Sequence, residues 1–431
     1  MYREILNQLA DWKDKDVDER KVLLLAGARG VGKTYTLNDF GAGYFSDTCI
    51  FDFKEQEYVR YLFEGELNKE SILKKLSVSC GVTLIPGETL LVFENVDVLE
   101  NSSDIIDFLC ESMGEYHVAI TLLRHEKNFL ENNKTLNLKL DIINIYPLSF
   151  SEFLIVNKEN GLCEKVANHA KVSLNEVDMK KLESYLKVYF ITGGMPAVVQ
   201  VYLETDSLAR VEEEKDKFIS SMNEEIEAVS QIPLKNKIKQ VLDSIPAQLE
   251  KENKKFQYGV VKITARAREY KDAVDWIVDH KYAVPLYRAV EPITPLSEQK
   301  DIKSFELFLC DTGILVSMFG ISYKDIADIS LYDLKDGALV EQYIFCELLH
   351  NPNVNDIYYW VSEATARIEF VFQDGDAVIP IEINLDLNEK AQSLKVLRNK
   401  YKIPMSIRVS KDTMNMEPGM LTLPLFSLWN L

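Results

Sequence analysis

Gly27-Ala28-Arg29-Gly30-Val31-Gly32-Lys33-Thr34 fits G-x-x-x-x-G-K-[ST], sits after the apolar run Val22–Ala26 and opens a helical pattern. This placement commits the chain to a strand–loop–helix unit, because the glycines must turn successive backbone N–H groups inward just where the helix begins. Amides converging at a helix N-terminus receive an anion, and a phosphate chain fits them. Lys33 is then placed to reach the outer phosphates and Thr34 to lend an oxygen to Mg²⁺. Gly27 through Thr34, with Tyr35 beside them, are therefore the expected contacts of ATP.

Val22–Ala26 reads as a buried parallel strand, with further strands expected at Thr48–Phe53, Thr89–Phe93, Val118–Leu123 and Ile142–Tyr146. Helix-length segments separate them, which is the alternation of an α/β fold with a parallel sheet. A P-loop site needs a second acidic metal ligand at the end of a neighbouring strand, and Leu90-Leu91-Val92-Phe93-Glu94-Asn95 supplies Glu94. Thr34 and Glu94 are thus the expected metal ligands, and Lys33, Glu94 and Asn95 the expected catalytic positions. Asn95 is a neutral amide where a carboxylate would polarise the attacking water, so Mg²⁺ binding is expected and hydrolysis is expected to be slow or absent. Asp97 replaces it only where the chain bends.

The 431 residues suffice for two to four domains of about 150 residues each. Asp and Glu number 68 against 49 Lys and Arg, and this net charge of −19 repels phosphate backbones and anionic lipid, so any nucleic-acid contact must be local. Cys49, Cys80, Cys110, Cys163, Cys310 and Cys346 lie singly, without CxxC, as in a reduced protein. No signal-peptide pattern and no membrane-length apolar run stands out. The expectation is a cytoplasmic protein with no membrane contact.

From Pro147 to about Val229 the apolar spacing is helical and charge is dense, as in a helical lid with solvated faces. Between Lys235 and Gly320, helices precede strands at Tyr282–Ala289 and Phe305–Leu309, the order of a winged helix. Lys235–Lys271 holds ten Lys/Arg against four acids, which invites a DNA-binding reading. The helix expected at about Asp272–His280 argues against it. Asp272, Asp275 and Asp279 share one face there, with Ala273, Val274, Ile277 and Val278 toward the core. A structural or protein-binding winged helix is favoured, leaving Arg266 and Arg268 for intramolecular or phosphate contacts.

In the last unit a helix over Ala338–His350 precedes strands at Ile357–Val361, Arg367–Phe372 and Ala377–Ile383, the last two joined by a turn containing Asp374-Gly375. Glu382 and Asn384 share a strand face, Glu369 lies on the paired strand, and Glu341 on the helix completes a carboxylate set of the kind that holds a divalent metal in nucleases. A lysine would normally follow two residues after Glu382. Asn384 carries no charge, so metal binding is a weaker expectation here and cleavage weaker still.

Nearly the whole chain resembles a prokaryotic family of AAA-type ATPases whose P-loop domain is fused to a winged helix and a C-terminal restriction-endonuclease-like domain of unknown function. The resemblance is carried by GARGVGKT at Gly27–Thr34, YPLSFSEFL at Tyr146–Leu154, TGGMPAVV at Thr192–Val199, Arg266 and Arg268, LCDTGIL at Leu309–Leu315, GALVEQYIFCEL at Gly337–Leu348, and PIEIN at Pro380–Asn384 followed by Ser393-Leu394. It implies nucleotide contacts at Gly27–Thr34, a metal-facing acid at Glu94 and a nuclease-like centre at Glu341, Glu369 and Glu382. The departures are Glu94-Asn95 for an Asp-Glu pair, Glu369 for a strand aspartate, Asn384 for a lysine, and no Gly-Arg near Leu136–Asp141. The implied division is a P-loop ATPase domain at 1–150, a helical lid at 151–232, a winged helix at 233–325 and an endonuclease-like α/β domain at 326–431. The expected function is an ATP-binding, nucleotide-dependent switch coupled to a degenerate nuclease-like domain, with a nucleotide, an unidentified protein and at most a local stretch of DNA as partners. The alternatives are an active ATP-dependent DNA-processing enzyme and a non-catalytic interaction scaffold.

Overall fold

The structure, a computed structural model, describes residues 1–65, 67–123, 134–168, 174–328, 337–363, 366–385, 392–411 and 413–431. It divides into two compact units, one of residues 1–146 with 279–281, the other of residues 147–278 and 282–431.

The first unit is built on β1 (Val22–Ala26), β2 (Asp47–Asp52), β3 (Thr89–Glu94), β4 (His117–Ile120) and β5 (Leu140–Asn144). Their order is β2-β3-β4-β1-β5, and every pairing is parallel. β1 and β3 are buried at every position, which is why they read as unbroken apolar runs. Phe51, Phe53, Phe63 and Phe93 pack ring against ring beside them. All five expected strands are present. β4 stops at Ile120 rather than Leu123: β3 turns away at the left-handed Asn95, whose N–H goes to the Thr121 hydroxyl, and the Leu123 N–H is held by Asp97.

The second unit begins with helices, among them Phe150–Val156, Glu176–Thr192, Leu208–Glu227 and Ile232–Leu249. Its sheet comprises β6 (Ala283–Ala289), β7 (Lys300–Leu309), β8 (Asn355–Val361), β9 (Arg367–Asp374), β10 (Ala377–Ile383), β11 (Ser406–Ser410), β12 (Asn415–Glu417) and β13 (Met420–Pro424), in the order β12-β13-β11-β10-β9-β8-β6-β7. β6 pairs with β7 as a hairpin and with β8 in parallel, so residues on both sides of position 325 share one sheet. The helix before β6 runs Ala267–Asp279, starting ahead of the expected Asp272. Arg266, Arg268, Lys271 and Asp272 are exposed, Asp275 is half-buried and Asp279 is buried, so its acidic face turns inward along its length.

Three of the quoted motifs meet in this unit. The Leu148 N–H donates to the Gly194 carbonyl at 2.6 Å, the Gly194 N–H donates to Asp311 Oδ2 at 2.6 Å, and Asp311 Oδ1 caps the Ile314 N–H at 2.9 Å. Gly193 has a φ of 68°, and a Cβ on Gly194 would stand 2.1 Å from the Leu148 carbonyl oxygen. Nearby, Glu347 Oε1 accepts the Phe150 N–H at 2.9 Å, and buried Lys215 donates to the Ile191 carbonyl at 2.6 Å. The glycines and acids of these motifs therefore hold a buried crossing of backbone. Among the described residues no helix is long and apolar enough to cross a membrane.

Candidate functional site

The loop Gly27–Gly32 joins β1 to the helix Lys33–Tyr44 at the carboxyl end of the parallel sheet, where open α/β sheets bind ligands. Gly30 and Gly32 have φ of 83° and 91°, left-handed conformations that only glycine adopts without cost. Gly27 is needed for space, since a Cβ there would lie 2.4 Å from the Ile145 carbonyl oxygen. Ala28 and Val31 are buried beneath the loop, while Arg29 is exposed. Gly32 caps the helix without a side chain, leaving the first amides to face an incoming anion. Lys33 Nζ donates to the carbonyls of Gly27 at 2.6 Å and Ala28 at 3.2 Å, folded back over its own loop. Tyr35 is exposed, and its hydroxyl accepts from the Met1 amino group.

β4 lies between β1 and β3, so the ends of all three strands border the same crevice. Glu94 at the end of β3 is only 4% exposed. Burial pushes its carboxyl above the usual range, a hydrogen bond from Thr34 pulls it down, Asp52 raises it and Lys33 lowers it. Its Oε1 is buried with no hydrogen-bond partner among the described residues. A hydroxyl and a carboxylate oxygen side by side, one lone pair unmet, fit a hard cation that keeps several waters, so Thr34 and Glu94 are suited to Mg²⁺.

Asn95 has a φ of 57°, a conformation asparagine tolerates better than most residues. Its side-chain amide donates to Asp52 Oδ1 at 2.9 Å. The chain bends immediately afterwards into a single helical turn at Val96–Val98, but Asp97 turns its Oδ1 to the Leu123 N–H at 2.6 Å. Sequence reasoning missed three contributors: Asp52, Thr121 and Arg3. The Arg3 guanidinium is buried and donates to the carbonyls of Val31, at 2.9 Å, and Tyr146, holding the loop from behind. None had a local signal, because each reaches the site through tertiary contact.

The second unit places its carboxylates among cations. Glu341 is ion-paired with Lys254, and its Oε2 lies 3.7 Å from Arg367, whose guanidinium grips Glu306 at 2.6 and 3.0 Å. Burial and the charge of Glu341 push the carboxyl of Glu369 up to about 7, and its Oε2 accepts the Ile383 N–H at 3.3 Å. Glu382 turns to Arg408 Nε at 3.3 Å, and the buried Asn384 donates its backbone N–H to Val409 at 2.9 Å. Among the described residues no three His, Cys, Asp or Glu are grouped to hold a metal.

Residues 19–154 match the model of the AAA domain family. This segment is an AAA-type P-loop domain. It contains the loop, Glu94, Asn95 and Asp52, so the site described above belongs to an ATPase-type fold. Downstream of the AAA domain, residues 183–325 match a domain of unknown function (DUF8612) and residues 336–426 another (DUF4143). No curated protein matches the chain. Among solved structures it is similar to the Walker-type ATPase PABY2304 of Pyrococcus abyssi, at 12% identity over 74% of this chain and 95% of that one, with a TM-score of 0.45. It is similar to Cdc6p of Pyrobaculum aerophilum, at 13% identity over 75% and 93%, with a TM-score of 0.30. It is also similar to the Hsp104–ADP complex of S. cerevisiae, at 13% identity over 81% of this chain and 44% of that one, with a TM-score of 0.29.

Proposed function

We propose that this protein binds ATP with Mg²⁺ at Gly27–Thr34 and hydrolyses it slowly, the bound nucleotide acting as a switch for the domains downstream. The observation that carries the reading is the buried Glu94 carboxylate, hydrogen-bonded to Thr34 at a helix start that no side chain caps, with one oxygen that no described residue meets. In this reading Lys33 leaves the Gly27 and Ala28 carbonyls to neutralise phosphate charge, and Thr34 and Glu94 hold the metal. When bound, Mg²⁺ would supply neutralisation of phosphate charge. Slow turnover is supported by Asn95, whose amide takes no proton from water.

The nuclease-like residues are read as retired from cleavage. Glu341 faces Lys254 and Arg367, Glu382 faces Arg408, and Asn384 has no charge to offer a developing phosphorane. This favours a partner-regulating switch over a DNA-processing enzyme, with a protein as the partner.

The test is calorimetric titration with ATP and ADP, with and without Mg²⁺, on the full chain and on Lys33→Ala. A ligand that binds only the folded state stabilises it by about 2.7 kcal/mol at a hundredfold excess over Kd. Mg-ATP should raise the melting temperature of the parent and leave Lys33→Ala nearly unmoved. Equal responses from the two chains would sink the reading.

A further inference from the structure

We propose that Asp52, one strand away from the position where an ATPase site would carry it, supplies the carboxylate that orients the attacking water and takes its proton. This deepens the nucleotide-hydrolysis reading above and rests on it. β2 and β3 pair in parallel with Asp52 directly opposite Glu94, so both carboxylates emerge at the same end of the sheet. The end of β3 bends at the left-handed Asn95, and this directs the Asn95 amide sideways onto Asp52. Asp52 Oδ1 accepts three N–H groups: Asn95 Nδ2 at 2.9 Å, Lys54 N at 2.8 Å and Glu55 N at 3.2 Å. Those bonds fix the plane of the carboxylate through Oδ1 and are not made to Oδ2. Asp52 is half-buried, so a water can reach it, and it lies beside Glu94 across the β2–β3 ladder. Asp97, the other nearby acid, is committed to the Leu123 amide.

The assignment gives Asn95 a positive role. A primary amide is a poor base but a good donor, and here it anchors the base instead of being it. In the step, the water oxygen bonds to the γ-phosphorus while its proton passes to Asp52 Oδ2. The bond from the γ-phosphorus to the β,γ-bridging oxygen breaks, and its electron pair leaves with ADP. The Asp52 proton then returns to solvent.

The experiment uses the full chain and Asp52→Asn. The substitution keeps a carbonyl oxygen for the Asn95, Lys54 and Glu55 donors and removes only the charge. Single-turnover phosphate release should fall about 100-fold or more, in the range usual for losing a general base. The melting shift with Mg-ATP and the calorimetric Kd should stay within about twofold. Moving the carboxylate back, in Asp52→Asn/Asn95→Asp, should restore part of the rate, which a structural role for Asp52 would not allow. Asp52→Asn hydrolysing like the parent overturns the proposal. So does a variant that loses the melting shift together with the rate, since Asp52 would then serve binding or folding. A parent that binds Mg-ATP but releases no phosphate overturns the role of Asp52 alone, whereas a parent with no Mg-ATP response overturns the nucleotide reading with it.

Discussion

A carboxylate buried with an unmet oxygen destabilises a protein unless a cation or a proton comes to it, and Glu94 is such a group. Because burial raises its pKa, ionised Glu94 costs the ligand-free chain stability. Glu94→Gln is expected to raise the melting temperature without ligand and to erase the extra shift that Mg²⁺ adds to ATP, both readable in one thermal titration. His117 is a second buried group with a one-sided environment. Its Nε2 meets the Lys13 carbonyl at 3.1 Å, its Nδ1 has no partner among the described residues, and desolvation lowers its pKa to about 4 from 6.5. The unfolded chain takes a proton below pH 6.5 and the folded chain only below about 4, so stability drains away as pH falls across that window. His117→Gln should flatten urea midpoints measured from pH 6.5 to 4; an unchanged slope would place the acid sensitivity elsewhere. The phosphate loop was legible because a nest of amides is local in sequence. The contact of Asp52 with Asn95, 43 residues apart, was not, since only the β2–β3 register brings the two together.

At the scale of elements, strands buried on both faces announced themselves as unbroken apolar runs, and β1 and β10 occupy the residues expected of them. β4 reads as longer than it is because Thr121 and Leu122 look like strand residues, while β3 turns away at Asn95 and the Asp97 side chain takes the Leu123 amide. The meaning of the GGMP and CDTG motifs was hidden for a similar reason: peculiar spelling marks constraint without saying whether chemistry or packing imposes it. Here packing does. Gly194→Ala would drive a Cβ to 2.1 Å from a backbone oxygen that cannot swing aside. A destabilisation on the order of 3 kcal/mol or more is expected from the urea midpoint, with the Kd for Mg-ATP in the surviving folded fraction unchanged.

For the molecule as a whole, a charge of −19 and carboxylates already matched to Lys254, Arg367 and Arg408 both oppose work on DNA. With Mn²⁺, the parent should cut neither linear nor supercoiled DNA; cleavage abolished by Glu382→Ala would revive the DNA-processing reading. The four-part division expected from the sequence placed a boundary at 325/326, and the pairing of β6 with β8 runs across it. This pairing imposes an order of synthesis. β6 emerges early, yet its neighbour toward the sheet centre is made only after residues 310–354 have followed. Until then the strand has one open flank, the kind of edge on which chains associate. A chain cut after residue 325 would keep that flank open permanently. It should collect in the insoluble fraction on expression, whereas one beginning at residue 147 and ending at 431 retains every partner of the eight-stranded sheet and is the piece to try when the second unit is wanted alone.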